Sequence, residues 1–226
     1  MTGRVFAITG GFGILGRAVG EAALAAGHSV ALIDSAPEAR NPPGGALLVG
    51  GVDLTSEKAA SAAFEKIAAG LGGIDVLVNV AGGFTWQTLE GGALGEWEHM
   101  WRLNTLTCAT ASKMALPHLL ASKAGRIVSV GANGAVKAAA GMGAYAASKA
   151  GVHRLTESLA EELKGKITVN AVLPSIIDTP TNRADMPDAD FGAWVTADEV
   201  AQAILWLASE QASGVTGALL PVLGRV

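Results

Sequence analysis

Tyr145 and Lys149 are the residues of this sequence whose types and spacing best suit proton transfer. They are four residues apart, at the start of a segment with helical spacing that continues to Lys164, so both side chains share one helix face. A tyrosine titrates near a pH of about 10 and is a poor acid or base at neutral pH, but a neighbouring ammonium favours the phenolate. The pair therefore predicts a phenol whose pKa is lowered by the lysine and which donates or accepts a proton.

A glycine-rich turn near the start of the chain supports a catalytic role for this pair, because it predicts a dinucleotide-binding site in the same fold. The turn, Thr9 to Gly16, lies between two apolar runs, the second of which ends at Asp34. In this spacing Gly10 permits a tight turn, Gly13 lets the backbone approach a pyrophosphate at a helix N-terminus, and Gly16 allows the helix to pack closely on a strand. Asp34 can accept hydrogen bonds from an adenosine ribose diol and would repel a 2′-phosphate. These features predict NAD(H) as cofactor, in preference to NADP(H).

The elements that must position these residues are seven short apolar runs alternating with Ala-rich helical segments. The predicted strands cover residues 4–9, 28–34, 46–52, 75–80, 126–130, 167–173 and 218–222, and the predicted helices cover 13–26, 55–70, 96–122, 143–164 and 196–209. Strands that are apolar on both faces and joined by crossover helices indicate a parallel sheet covered on both sides. The prediction is a doubly wound α/β Rossmann fold with a seven-stranded parallel sheet and helices on both faces.

Two segments that interrupt the alternation, residues 82–95 and 180–195, are predicted to be substrate loops. They follow the fourth and sixth strands, at the carboxyl edge of the sheet where open α/β folds bind ligands. Phe84, Trp86, Met142 and Trp194 lie on or beside these loops and could form a flat apolar slot for a heteroaromatic ring. We expect residues 1–226 to form one domain that contains the cofactor site, the catalytic site and both loops.

Composition and charge argue against several classes of partner. The 226 residues carry a net charge of −4 with acidic and basic residues interspersed, so neither nucleic acid nor a membrane is an expected partner. No apolar stretch approaches the roughly 18 residues of a membrane span, and a first strand near Arg4 leaves no room for a signal peptide. Cys108 is the only cysteine, and the four histidines lack metal-ligand spacing. We therefore expect a cytoplasmic protein that binds no metal and acts on a small molecule.

Taken together, the turn at Thr9 to Gly16, the stretch Asn79 to Gly82, Asn104 and the stretch Tyr145 to Lys149 resemble the short-chain dehydrogenase/reductase family. The resemblance implies an NAD-dependent oxidoreductase in which Tyr145, Lys149 and Asn104 are catalytic, Asn104 holding a water on a proton relay to Lys149. It also implies a homodimer or homotetramer in which the helices that carry Asn104 and Tyr145 pair with their copies. The cofactor-binding residues predicted from the turn and the family together are Gly10, Phe12, Gly13, Leu15, Asp34, Asp53, Leu54, Ala81, Gly82, Gly83, Tyr145, Lys149, Pro174, Ile177 and Thr179.

Several stretches resemble one branch of the family, dihydropteridine reductase, which reduces quinonoid dihydropterin with NADH. The most specific is residues 172–180, with 182–183 and 186–191 after it. Ala132 stands where the commonest members have a serine, thirteen residues before the tyrosine, and this branch also lacks that serine. Ser129 cannot replace it, because residues 129 and 132 of an extended strand point to opposite faces. Asn104 instead resembles the commoner dehydrogenases, and Ser175 stands where the usual motif has glycine. The resemblance implies a small cyclic or heteroaromatic substrate such as quinonoid dihydropterin.

Other interpretations stay open at this stage. One is a carbonyl or alcohol oxidoreductase of the same family, and another is a non-catalytic NAD sensor, for which Ala132 would mark a lost activity. A sugar-nucleotide epimerase shares the glycine spacing but is expected to carry a further substrate-binding region after the seventh strand. A methyltransferase would have no need of Tyr145 with Lys149.

Overall fold

The computed structural model describes residues 3–226, and its centre is a seven-stranded sheet in which every neighbouring pair is parallel. The strands are β1 (Val5–Thr9), β2 (Ser29–Ile33), β3 (Leu47–Val49), β4 (Val76–Asn79), β5 (Arg126–Val130), β6 (Thr168–Pro174) and β7 (Leu219–Val222). Their order across the sheet is β3-β2-β1-β4-β5-β6-β7. The order reverses between β1 and β4, which is the switch point of a doubly wound fold. The predicted fold class is confirmed.

Helices cover both faces of the sheet, so the strands separate two cores. Helices α1 (Ile14–Ala25) and α7 (Ala197–Ala208) pack on one face, and α2 (Glu57–Leu71), α4 (Thr107–Ala121) and α5 (Gly143–Glu162) pack on the other. Strand β1 shows the alternation directly, since Phe6 and Ile8 belong to the first core and Ala7 to the second. None of the helices within residues 3–226 is both long and apolar enough to span a bilayer.

The predicted helix over residues 96–122 is divided in the structure. It begins as α3 (Gly95–Met100), passes through a π-helical turn at Trp101–Leu106 and continues as α4. Short π-helical turns inside α-helices are frequent at functional sites, and this one contains Asn104. The apolar spacing predicted the helix but not the change in its hydrogen bonding.

The segment predicted as a loop at residues 180–195 contains two short helical elements. Helix α6 (Pro180–Asp185) begins with proline, which suits the first helical position, and the Thr179 side chain accepts a hydrogen bond from the Asn182 amide at 3.2 Å. A 3₁₀ turn follows at Phe191–Ala193. Both elements are too short to show the apolar periodicity that reveals longer helices.

Candidate active site

The carboxyl ends of the strands open onto a cleft of about 1420 Å³ at the switch point of the sheet. Its walls come from the turn after β1, the ends of β2, β4, β5 and β6, the start of α5 and the segment around α6. The sequence-predicted residues that line it are Gly10, Gly13, Leu15, Asp34, Asp53, Leu54, Ala81, Gly82, Gly83, Phe84, Trp86, Met142, Tyr145, Lys149, Pro174, Ile177 and Thr179. The structure therefore brings most of the predicted cofactor and substrate residues into one cavity.

The glycine turn has the shape that a dinucleotide pyrophosphate needs. Gly10 has a φ of +64°, and a Cβ there would lie 2.8 Å from the Ala81 nitrogen. A Cβ on Gly16 would overlap the Gly10 carbonyl, whereas one on Gly13 would meet only the Gly10 oxygen at 3.4 Å and so faces the cleft. Helix α1 begins directly after Gly13 and has no side-chain cap. Its first amides therefore suit an anion, and the turn fits the pyrophosphate of a nicotinamide dinucleotide.

Asp34 follows β2, and its carboxylate is hydrogen-bonded to the glycine turn. One carboxylate oxygen accepts a hydrogen bond from the Phe12 amide and the other from the Ala36 amide, both at 3.0 Å. The Phe12 side chain does not line the cleft and packs instead against the core between α1 and the sheet. The prediction that Phe12 contacts the cofactor is therefore corrected. Its amide orients the Asp34 carboxylate, and its ring packs against the core on the side of the turn away from the cleft.

The predicted catalytic pair, Tyr145 and Lys149, lies on the first two turns of α5, beside the end of β5, and is largely buried. Lys149 is 6% exposed and donates a hydrogen bond to the Val130 carbonyl at 2.8 Å, and the Phe84 ring meets the Tyr145 ring edge-on at 4.9 Å. Burial raises the pKa of Tyr145 to about 12 and lowers the pKa of Lys149 to about 8. The predicted lowering of the phenol pKa is therefore wrong for the chain alone, because burial disfavours the charged phenolate. At neutral pH the phenol holds its proton and can act as an acid.

Asn104 joins the π-helical turn to the strand end that carries Gly82 and Gly83. Its amide nitrogen donates to the Gly83 carbonyl at 3.0 Å and to the Ser148 hydroxyl at 2.9 Å, and its amide oxygen accepts from the Gly83 nitrogen at 3.0 Å. A Cβ on Gly82 would collide with this amide oxygen and lie 3.2 Å from the Lys149 Nζ. Asn104 thus sits beside the lysine, is 1% exposed, and fixes the backbone that lines the cleft.

The strand end after β5 explains how the site is built without the usual serine. Ala132 presents a methyl group to the cleft, and its amide donates to the buried His153 Nε2 at 3.3 Å. The Ser129 hydroxyl lies elsewhere, 3.3 Å from the Asn79 amide nitrogen and 3.5 Å from the Cys108 sulfur. No side-chain hydroxyl at residue 132 is therefore available to orient a substrate carbonyl.

Ser175, the unusual residue after Pro174, also has a structural role. Its hydroxyl donates to the Leu223 carbonyl at 2.7 Å, and its amide donates to the Val222 carbonyl at 3.2 Å. These bonds fasten the start of the segment predicted to hold the nicotinamide carboxamide to the strand end after β7.

Three of the residues predicted to contact substrate, Phe84, Trp86 and Met142, line the cleft, and Phe84 and Trp86 are 58% and 61% exposed. The Trp86 indole nitrogen donates to the Ala140 carbonyl at 3.1 Å, which fixes the ring. Trp194 does not line the cleft. It is 4% exposed and packs against Phe191 with the ring centres 4.9 Å apart, so the prediction that Trp194 contacts substrate is corrected.

The cleft is also lined by residues that the sequence did not single out as site residues, namely Ile176, Thr181, Asn182, Asp185 and Met186. They lie on and around α6, and the Thr179–Pro180 start signal could have revealed that helix. Across residues 3–226, no group of three or more His, Cys, Asp or Glu side chains could hold a metal ion.

Comparison with known proteins agrees with this arrangement. The family model described as short chain dehydrogenase matches residues 4–190. The chain is 31% identical to 2-(S)-hydroxypropyl-CoM dehydrogenase 3 of Xanthobacter autotrophicus, over 97% of this chain and 95% of that protein. It is 30% identical to the 3-oxoacyl-[acyl-carrier-protein] reductase of Salmonella typhimurium, over 98% and 96%.

Solved structures show the same likeness over the whole chain. The ligand-free aldohexose dehydrogenase of Thermoplasma acidophilum superposes with a TM-score of 0.87 at 28% identity, covering 99% of this chain and 94% of that one. The 3-ketoacyl-(acyl-carrier-protein) reductase of Brucella melitensis, complexed with NADH, gives 0.88 at 27% identity, covering 99% and 98%. With the family model and the relatives in agreement with the geometry of the cleft, the chain belongs to the short-chain dehydrogenase/reductase family of oxidoreductases.

Proposed function

We propose that this protein is an NAD(H)-dependent oxidoreductase that transfers a hydride to or from a small cyclic or heteroaromatic substrate such as a quinonoid dihydropterin. The observation that carries the proposal is the position of Tyr145 and Lys149, which line the same cleft as the glycine turn and Asp34. A proton-handling pair and a dinucleotide cradle are both needed for hydride transfer, and one cavity contains both.

Each part of the cleft has a distinct task in this proposal. The amides at the start of α1 would hold the pyrophosphate, Asp34 the adenosine ribose, and the segment Pro174 to Thr179 the carboxamide. The nicotinamide, when bound, supplies or takes the hydride. Tyr145 donates the proton in the reducing direction, which suits a phenol that stays protonated at neutral pH. Lys149 would bind the nicotinamide ribose and tune the phenol, and Asn104 keeps the strand end beside it in place.

The proposed substrate class follows from what the substrate side offers. Ala132 supplies no hydroxyl, whereas Phe84 and Trp86 present exposed ring area. A flat fused ring can be oriented by stacking on these side chains, so the missing serine is tolerable for such a substrate. The resemblance of residues 172–191 to the dihydropteridine reductase branch supports the same choice.

A second candidate is the reduction of the 3-oxo group of an acyl thioester, which the names of the relatives favour. Ala132 weakens this second candidate, because the enzyme would have to orient the ketone of a flexible acyl chain without a hydrogen bond from a hydroxyl at residue 132. A cofactor sensor without turnover is the non-enzymatic alternative.

The experiment that tests the proposal is NADH oxidation by the purified protein against quinonoid dihydropterin, quinones, aryl aldehydes and an acetoacetyl thioester. We expect the cyclic substrates to be preferred. Tyr145→Phe should lose about 10² to 10⁴ in rate and keep its NADH affinity, Lys149→Ala should lose both, and Ser129→Ala should change neither. Turnover only with the thioester would favour the second candidate, and no turnover with any substrate would favour the sensor.

A further inference from the structure

The wall of the cleft formed around α6 carries a carboxylate that neither the cofactor site nor the catalytic pair uses. Asp185, the last residue of α6, lines the cleft. Within residues 3–226 its side chain takes part in no hydrogen bond and no ion pair, so it is available to a ligand.

The arginine nearest to Asp185 in sequence cannot neutralise it, because Arg183 is engaged elsewhere. The Arg183 guanidinium binds both oxygens of Asp178, at 2.6 and 2.7 Å, and lies over the Phe191 ring at 4.9 Å from its centre. Among the described residues that line the cleft, Lys149 is the only lysine or arginine, and it is committed to the Val130 carbonyl. The segment around α6 therefore contributes to the cleft a carboxylate that has no ion-pair partner in the described part of the chain.

A neighbouring side chain adds a second hydrogen-bond acceptor to the same wall. Asn182 lines the cleft, and its amide nitrogen donates to the Ile177 carbonyl at 2.7 Å, which leaves its amide oxygen to accept. The aromatic side chains of Phe84 and Trp86 line the same cleft, and the Trp86 indole nitrogen already donates to the Ala140 carbonyl. The cleft thus combines exposed aromatic faces with hydrogen-bond acceptors on the α6 segment, and that segment, which the structure describes in full, offers an anion no cation outside the Arg183–Asp178 pair.

We propose that Asp185 determines specificity by selecting flat rings that carry adjacent N–H donors or a positive charge, of the amidine or aminopyrimidine type, and by rejecting anionic substrates. A carboxylate pairs with two parallel N–H groups in a charge-assisted, bidentate arrangement, whereas a substrate carboxylate or phosphate would be repelled. This inference rests on the proposed function for its place in a reaction, but the selectivity it predicts concerns binding alone.

The test is the binding of two probes of equal shape and opposite charge, benzamidine and benzoate, to the protein saturated with NADH, measured by calorimetry. Saturation keeps the probes from the adenosine end, where Asp34 and Asp53 lie. We expect wild type to bind benzamidine at least about tenfold more tightly than benzoate, Asp185→Asn to bring the two within about threefold, and Asp185→Lys to reverse the order. Asp188→Asn, an exposed carboxylate of the same segment that does not line the cleft, should behave as wild type.

Three results would overturn the inference: a wild-type preference for benzoate or for neither probe, a preference that Asp185→Asn leaves unchanged, or no binding of either probe. Because no turnover is measured, the outcome is separate from that of the proposed function. A protein that selects benzamidine through Asp185 but oxidises no NADH would retain this inference and lose the proposed reaction.

Discussion

At the scale of single residues, burial governs the titratable groups behind the cleft, and His153 shows it best. This side chain is 3% exposed and uses Nε2 to accept from the Ala132 amide, which requires the neutral ring. Burial, with smaller contributions from the Arg154 and Lys149 charges, lowers the pKa of His153 to about 4. The hydrogen bond from the Ala132 amide to His153 therefore holds the strand end that lines the cleft, and protonation of His153 in acid would break it.

This lowered pKa predicts a specific dependence of stability on pH. Between pH 6.5 and about 4 the unfolded chain binds a proton at His153 that the folded chain does not, so the free energy of unfolding falls as the pH falls through this window. The loss approaches about 3 kcal/mol when the window is crossed. Urea denaturation at several pH values checks it, with His153→Leu as comparison, because the variant lacks the titrating group. A variant whose stability declines as steeply as wild type would show that other groups cause the effect.

Residue types and spacing predicted most of the residues that line the cleft, but not the direction of the Tyr145 pKa shift or the burial of Trp194. Tyr145, Lys149 and Asp34 follow from spacing relative to strand ends, because parallel strands bring their carboxyl ends together. The pKa of Tyr145 depends on how much water reaches the phenol, which spacing does not reveal. Trp194 was misplaced for a similar reason, since its position on a predicted loop did not show that Phe191 would bury it.

At the scale of elements, β2 and the glycine turn form one unit through Asp34. The strand delivers the carboxylate, and the Phe12 amide at the turn holds one of its oxygens. The unit was predictable because strand, turn, helix and strand follow one another along the chain. Helix α6 was not predictable, because a six-residue helix is too short to show apolar periodicity. The π-helical turn was not predictable either, because a change in backbone hydrogen bonding leaves no apolar pattern in the sequence.

We predict from this unit that NADH binds at least about tenfold more tightly than NADPH, since Asp34 would meet a ribose diol in one and a phosphate dianion in the other. Asp34→Asn keeps an acceptor for the Phe12 amide but removes the charge, so it should narrow the difference chiefly by improving NADPH. Asp34→Ala should also weaken NADH, because the turn loses its partner. Fluorescence titration of both cofactors measures these affinities, and equal affinities in wild type would refute the role of Asp34.

At the scale of the whole molecule, the sheet buries both its faces but leaves aromatic surface on the helices around Asn104. Trp97 on α3 and Trp101 in the π-helical turn, four residues apart, are 38% and 48% exposed. Exposed apolar side chains grouped on neighbouring elements are typical of surfaces that associate. The helices that carry Asn104 and Tyr145 contact each other, so a partner bound here would also stabilise these two predicted catalytic residues.

We therefore predict a homodimer or homotetramer in which these helices pair with their copies, and light scattering at about micromolar concentration should give a multiple of the 22.7 kDa chain mass. Trp101→Glu places a charge in the expected interface and should shift the population toward monomer, with a parallel loss of activity because the turn that holds Asn104 would lose its support. Trp206→Glu is the matched control: this tryptophan is 43% exposed but lies on α7, on the opposite face of the sheet, so at least the dimer should persist. A wild-type protein that scatters as a monomer would contradict the prediction, and a Trp101→Glu protein that remains fully associated would place the interface elsewhere.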